Sequence, residues 1–128
     1  MNSTLYFPIE ACAGIDSGDA APYDRQWLVV DADWRRLTQH DQPKLAQVDV
    51  SLRFGYLVIR APGMLRMDIP LDVIEDDDSV RRQAIIGSQT IDVVDEGELA
   101  AAWMSNCLGT PSRLVKVHPD APAVQWGD

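Results

Sequence analysis

Turn-forming residues interrupt this chain about every ten positions, and the runs between them are too short for anything but strands, with a single exception. Trp27-Leu28-Val29-Val30-Asp31 is the most apolar of these runs. Trp27, Val29 and Asp31 fall on one face of an extended segment, and Gln26, Leu28 and Val30 on the other, so the run is expected to be covered on both sides. Leu45 to Arg53 alternates as a half-buried strand, Phe54-Gly55 turns it, and Tyr56-Leu57-Val58-Ile59-Arg60 returns to a second turn at Ala61-Pro62-Gly63. Leu65, Met67 and Ile69 alternate with Arg66 and Asp68 up to Pro70. Arg81 to Ile86 and Gln89 to Val94 form a hairpin pattern around Gly87-Ser88, and Arg113 to Val117 reads as a last strand. At the other end, Thr4 to Ile9 reads as a first strand, ended or placed at an edge by Pro8. After the central run, Trp34-Arg35-Arg36 is expected to turn and Leu37-Thr38-Gln39 to return.

The exception lies near residues 96–108. Asp95 can cap a helix there, with Glu98 completing an acidic capping box. Leu99, Trp103 and Cys107 recur every four residues, flanked by Ala100, Met104 and Leu108, and Gly109 with Pro111 stops the run. The expected fold is therefore mainly β: a small β-barrel of several short, mostly antiparallel strands carrying one amphipathic helix. Residues 1–117 form the expected domain and 118–128 a proline-containing tail. A chain of 128 residues can bury one substantial core but not two ordinary ones.

Composition removes several function classes. No apolar run approaches the ~20 residues that cross a bilayer, so no membrane span is expected. The first residues lack the basic and apolar regions of a secretory signal, which leads us to expect a cytoplasmic protein. A net charge of −9 and a pI near 4.5 oppose nucleic-acid binding through a basic face. The two cysteines, Cys12 and Cys107, make neither a disulfide framework nor a metal spacing and are expected to be free thiols. His40 and His118 have no ligand pattern around them, and no phosphate-loop, dinucleotide, zinc-protease or nucleophile-elbow motif is present. Glu75-Asp76-Asp77-Asp78 lacks the glycine and distal glutamate of a calcium loop and reads as a solvated segment. No catalytic residue and no metal ligand is assigned.

Two places could bind something. Asp24-Arg25 stands at the entrance of the central strand, where a guanidinium can present its fork of donors to a carboxylate or phosphate, or where the pair can simply tie down a strand end. Glu10-Ala11-Cys12-Ala13-Gly14 is a loop of small residues that allows close backbone approach, although a tight turn explains it equally well.

The order of several motifs carries a resemblance. They are Tyr6-Phe7-Pro8-Ile9 with Cys12 and Gly14, Asp24 to Asp31, and Leu37-Thr38-Gln39 followed by Pro43, Leu45 and Ala46. Ala61-Pro62-Gly63-Met64, Trp103-Met104-Ser105 with Leu108-Gly109, and Arg113-Leu114-Val115 continue the series. It resembles the N-terminal β-barrel domain that precedes the MOSC domain, itself named for the C-terminal region of molybdenum cofactor sulfurases. In that family, which includes the amidoxime-reducing component and its bacterial relatives, the resemblance implies a barrel set against the MOSC domain, the two together holding molybdenum cofactor. It further implies that a Lys-Ser pair after the first strand and the arginine of the Asp-Arg doublet reach the cofactor's phosphate or pterin. On this chain the cofactor-facing residues would be Arg25 with Ala11, Cys12 and Gly14. Glu10-Ala11 stands where the family usually has Lys-Ser, and His40 where it often has arginine. Gln125 to Asp128 looks like the start of a MOSC domain, and the cysteine that ligates molybdenum would belong to that domain rather than being Cys12 or Cys107.

Three readings follow. The first is a stand-alone, non-catalytic binding or interaction module with no cofactor of its own, whose partner is a MOSC-domain protein or a second copy. The alternative is an accessory part of a molybdenum-cofactor enzyme or sulfur-transfer system, completed by a separate MOSC polypeptide, with Arg25 helping to hold the cofactor phosphate. The third is a remnant that keeps only the fold. An acidic Glu10-Ala11 loop should repel anions, which favours the first. A barrel built to dock is also expected to expose an apolar patch along its C-terminal strand and tail.

Overall fold

The computed structural model describes residues 5–16, 18–71, 81–118, 121, 124 and 126; the acidic run 75–78 lies outside them. Among these residues there are seven strands and one α-helix: β1 Trp27–Asp31, β2 Asp49–Arg53, β3 Tyr56–Arg60, β4 Met67–Pro70, β5 Arg81–Ile86, β6 Gln89–Asp95, α1 Glu98–Leu108 and β7 Ser112–Val117. All strand pairs are antiparallel, forming one sheet in the order β1-β7-β6-β5 and a second in the order β2-β3-β4.

The central run behaves as its two apolar faces require. Trp27 and Val29 enter one core with Val50, Leu57, Ile59, Ile69, Leu114 and the helix. Leu28 and Val30 enter a second with Ala84, Ile86, Ile91, Val93 and Val115. The second core is covered by Trp34 and by Ala121, Val124 and Trp126. Ala121, Val124 and Trp126 of the tail thus pack on the core beside β7, where an exposed apolar patch is expected from the sequence.

Residues 34–36 link the two edges of the larger sheet. Arg36 bridges Val30 of β1, and Arg35 bridges Ile85 of β5. Arg36 donates its N–H to Ile85 O at 2.9 Å, and Ile85 donates to Trp34 O at 2.8 Å. Edge groups that would otherwise be bare are paired, which gives the sheet its partial barrel closure. The return expected at Leu37 to Gln39 shrinks to this short segment and Leu37, because residues 39–41 turn away.

Other expectations require correction. Of the first strand expected at Thr4 to Ile9, Thr4 lies outside the described residues and residues 5–9 form no strand: Tyr6 makes an isolated bridge to Ile15, and Ile9 a parallel one to Trp27. Leu45 to Gln47 is the end of a 3-10 turn, Pro43–Gln47, and the strand starts only at Asp49. Pro43 fixes the φ of the first turn, so the apparent alternation through Leu45 was not strand periodicity. Residues 18–23 form a second 3-10 turn. The helix is capped by Gly97, with no side-chain cap bond; Asp95 ends β6 and accepts from Gly97 N at 3.1 Å. Its core-facing row is Ala100, Met104 and Leu108, joined by Ala101 and Trp103, while Leu99 is 87% exposed. Adjacent helical residues differ by about 100°, so both four-residue rows have the right period and only packing against the sheet selects one. Gly109 ends the helix at φ 78°, as its position requires.

Candidate functional site

A cavity of about 400 Å³ opens where the loop after Tyr6, the entrance to β1 and the segment after the 35–36 bridges converge. The first contributes Phe7, Glu10, Ala11 and Cys12, the second Arg25, and the third Arg36, Thr38, Gln39 and His40. Backbone bonds hold the loops together. Glu10 N donates to Trp27 O at 2.8 Å, Arg25 N to Phe7 O at 2.7 Å, and Ala13 N to Val48 O at 3.0 Å. The amide of Gln39 donates to Ala11 O at 2.8 Å, fastening two walls to each other.

The Asp-Arg doublet divides its labour. Asp24 does not pair with Arg25; its Oδ1 accepts the Phe7 N–H at 2.7 Å, so the doublet grips both backbone groups of Phe7. Arg25 is exposed, and its guanidinium has no hydrogen-bond or ion-pair partner among the described residues. Its backbone sits at φ 55°, and Ala11 across the cavity at φ 75°. Two non-glycine residues held in the left-handed region by surrounding bonds is the kind of strain that clusters at ligand sites.

Glu10 is the decisive correction to the sequence argument. Both of its oxygens are taken by one guanidinium, Arg36 Nε to Oε1 at 2.8 Å and Nη2 to Oε2 at 2.5 Å, with side chains 13% and 11% exposed. The third terminal donor, Nη1, reaches Trp126 O, and the guanidinium lies 5.4 Å from the Trp126 ring centre. Glu10 is thus neutralised inside the wall rather than presented as a repelling charge. The loop can tolerate an anion despite its sequence.

Thr38 and Asp41 lock the third wall: Thr38 N–H and Oγ1 donate to Asp41 Oδ2 at 3.1 and 3.0 Å. The Thr38 N–H holds the Asp41 carboxyl below its ordinary range, with the hydroxyl second. Cys12 is only 1% exposed, and burial first, then the charges of Glu10 and Cys107, push its thiol far above the ordinary value. Cys107 is raised as well, chiefly by burial. Both cysteines are free, and neither environment favours a nucleophilic thiolate.

Of the residues singled out from the sequence, Arg25, Ala11 and Cys12 come together here, and His40 joins them at the rim. Gly14 does not line the cavity. A Cβ there would stand 2.8 Å from the Phe7 ring, so this glycine makes room for an aromatic side chain. Arg36, Thr38 and Gln39 also line the cavity, although the sequence assigns none of them to a site: Thr38 and Gln39 stand out there only within the Leu37-Thr38-Gln39 motif, and Arg36 only in the Arg35-Arg36 doublet beyond a turn. Among the described residues no group of three or more His, Cys, Asp or Glu side chains could hold a metal. No helix among them is long and apolar enough to cross a membrane.

Two antiparallel sheets, one helix and a cation-bearing cavity define a small β-barrel-type domain. Residues 1–111 match the family described as the MOSC N-terminal beta barrel domain, and the chain belongs to that family. It is 30% identical to molybdenum cofactor sulfurase of Danio rerio over 129 residues, an alignment covering 94% of this chain and 16% of that protein. Mitochondrial amidoxime reducing component 2 of Bos taurus is 30% identical over 129 residues, covering 91% of this chain and 38% of that protein. The chain therefore spans well under half the length of these curated relatives. A solution structure of a protein from Bordetella bronchiseptica is 57% identical, with a TM-score of 0.85 over 98% of this chain and 97% of that one.

Proposed function

We propose that this domain is a non-catalytic binding module whose cavity takes a small, singly charged organic anion on Arg25. The observation that carries the reading is the charge pattern of the walls. Arg36 and Glu10 cancel, Asp41 is tied to Thr38, and Arg25 is left with an unengaged guanidinium at the mouth. One such fork, with Gln39 and His40 nearby, matches a carboxylate or a monoester better than a dianion. The Lys-Ser pair expected to meet the cofactor phosphate is Glu10-Ala11, so these residues alone do not rebuild that cradle.

A second reading rests on the neutralisation of Glu10 by Arg36. The wall is not acidic in effect, so the domain could serve as an accessory part of a molybdenum-cofactor system, Arg25 touching the phosphate of a cofactor held chiefly by a separate MOSC polypeptide. The similarity to molybdenum cofactor sulfurase of Danio rerio supports this reading.

Amide chemical-shift titrations with acetate, inorganic phosphate and a pterin phosphate separate these possibilities. Saturable shifts at Ala11, Arg25 and Gln39 that vanish in Arg25→Ala are expected. A preference for acetate supports the module, and a preference for the pterin phosphate supports the accessory role. Absence of any saturable shift up to tens of millimolar anion overturns both.

A further inference from the structure

A second cavity, of about 530 Å³, shares no lining residue with the first and lies within the ~300–1,000 Å³ range of small-molecule sites. Its floor is the small-residue side of α1, Ala101 and Ala102, and one wall is Trp34. Arg113 of β7 also lines it. We propose that this cleft binds an organic carboxylate carrying a flat apolar body, the carboxylate replacing Glu98 on Arg113 and the body lying between Trp34 and the helix alanines.

Arg113 is held by two acids of different character. Asp95 accepts from Nη1 at 2.8 Å and is 17% exposed, which makes it the fixed partner. Glu98 lies 2.9 Å from the same nitrogen and 3.3 Å from Nη2 but is 82% exposed, so its hold is that of a surface pair, worth little and easily exchanged. A ligand carboxylate can take the fork that Glu98 vacates, at no cost in buried charge.

The aromatic wall is set rigidly. Trp34 stands at φ 64°, unusual for so bulky a residue, pinned by its N–H to Asp31 O at 3.0 Å and by Ile85 N to its own carbonyl. Part of its ring covers the second core, which explains its burial, and the Arg113 guanidinium lies 5.7 Å from its centre. The remaining polar lining is already engaged: Ser105 Oγ donates to Ser112 O and accepts from Ser112 N, and Ser112 Oγ donates to Thr110 O. That leaves one cationic anchor in a lining as much polar as apolar, with Trp34 and the helix alanines as its apolar part, which is why the class is a monocarboxylate with a flat hydrophobic group.

The test uses the full chain, isotope-labelled, titrated with phenylacetate, with phenylacetamide as the neutral isostere. Phenylacetate is expected to shift the Trp34 indole and Ala102 amide saturably, with phenylacetamide at least tenfold weaker. Glu98→Ala, an exposed change that does not threaten the fold, should tighten phenylacetate by up to about fivefold by removing the internal competitor. Arg25→Ala should leave these shifts unchanged, which keeps the outcome separate from that of the first cavity. Equal binding of the amide, a Glu98→Ala affinity that is unchanged or weaker, shifts confined to the Arg25 cavity, or no shifts at all would each overturn the proposal.

Discussion

Replacing Arg36 by glutamine should cost this domain more than any exposed ion pair could, because it strands a carboxylate in a wall only 13% open to solvent. Removing one partner of a well-buried pair costs about 3–5 kcal/mol. The adjoining cavity admits water to Glu10, which reduces that figure, while the lost contacts to the Trp126 carbonyl and ring add to it. We expect about 2–4 kcal/mol for Arg36→Gln. Glu10→Gln leaves a guanidinium that keeps its bond to Trp126 and can turn toward the cavity, so we expect about 1–2 kcal/mol. The double variant should cost less than the two singles together by about 1–2 kcal/mol, the coupling of a bidentate pair at this depth. Urea unfolding followed by tryptophan fluorescence at neutral pH measures all four corners of the cycle. Anion binding supplies a second readout: Arg36→Gln should weaken acetate binding at Arg25, because it restores a negative charge to the wall, and the double variant should recover it. A cycle additive within about 0.3 kcal/mol would refute the reasoning. It would mean that Glu10 is hydrated and unpaired, and would return the loop to the repelling role its sequence implies.

Two further outcomes follow from local geometry. The Cys12 pKa is raised in the folded state, so its contribution is complete below the unfolded value and is lost as pH rises above that value toward the folded one. From about pH 9 upward, stability should therefore fall by about 1.4 kcal/mol per pH unit more steeply than in Cys12→Ala; parallel urea midpoints for the two proteins up to pH 10 would refute this. At the β2–β3 turn, Phe54 at φ 49° and Gly55 at φ 83° both have positive φ, yet Phe54 is 93% exposed, with the Arg53 guanidinium 6.0 Å from its ring centre. Asparagine tolerates that conformation far better, so Phe54→Asn should raise stability by about 0.5–1 kcal/mol, and a lowered thermal midpoint would count against the turn assignment.

What the sequence disclosed was whatever local chemistry decides. Trp27 to Asp31 announced its two buried faces because alternate residues of a strand point oppositely and both sets were apolar. Gly87-Ser88 and Gly109 announced a turn and a stop because few other residues suit those backbones. The helix row was not legible, since Leu99 and Ala100 begin rows of equal period and only the sheet beneath decides which is buried. Leu45 alternates with its neighbours as a strand would, and only Pro43, which fixes the φ that opens a 3-10 turn, tells the two apart. In the site the division is sharper. Arg25, Ala11 and Cys12 were accessible through a pattern of neighbours, whereas Arg36, Thr38 and Gln39 arrive from a segment placed by cross-sheet bridges. The sign of a charge in the sequence is therefore a poor guide to the field in a cavity. Glu10 was counted as repulsion because its partner lies 26 residues away, and a guanidinium at that separation is invisible to any local reading. The useful quantity is the charge left after pairing, and in the first cavity that residue is Arg25, identified only once Glu10 has been assigned to Arg36.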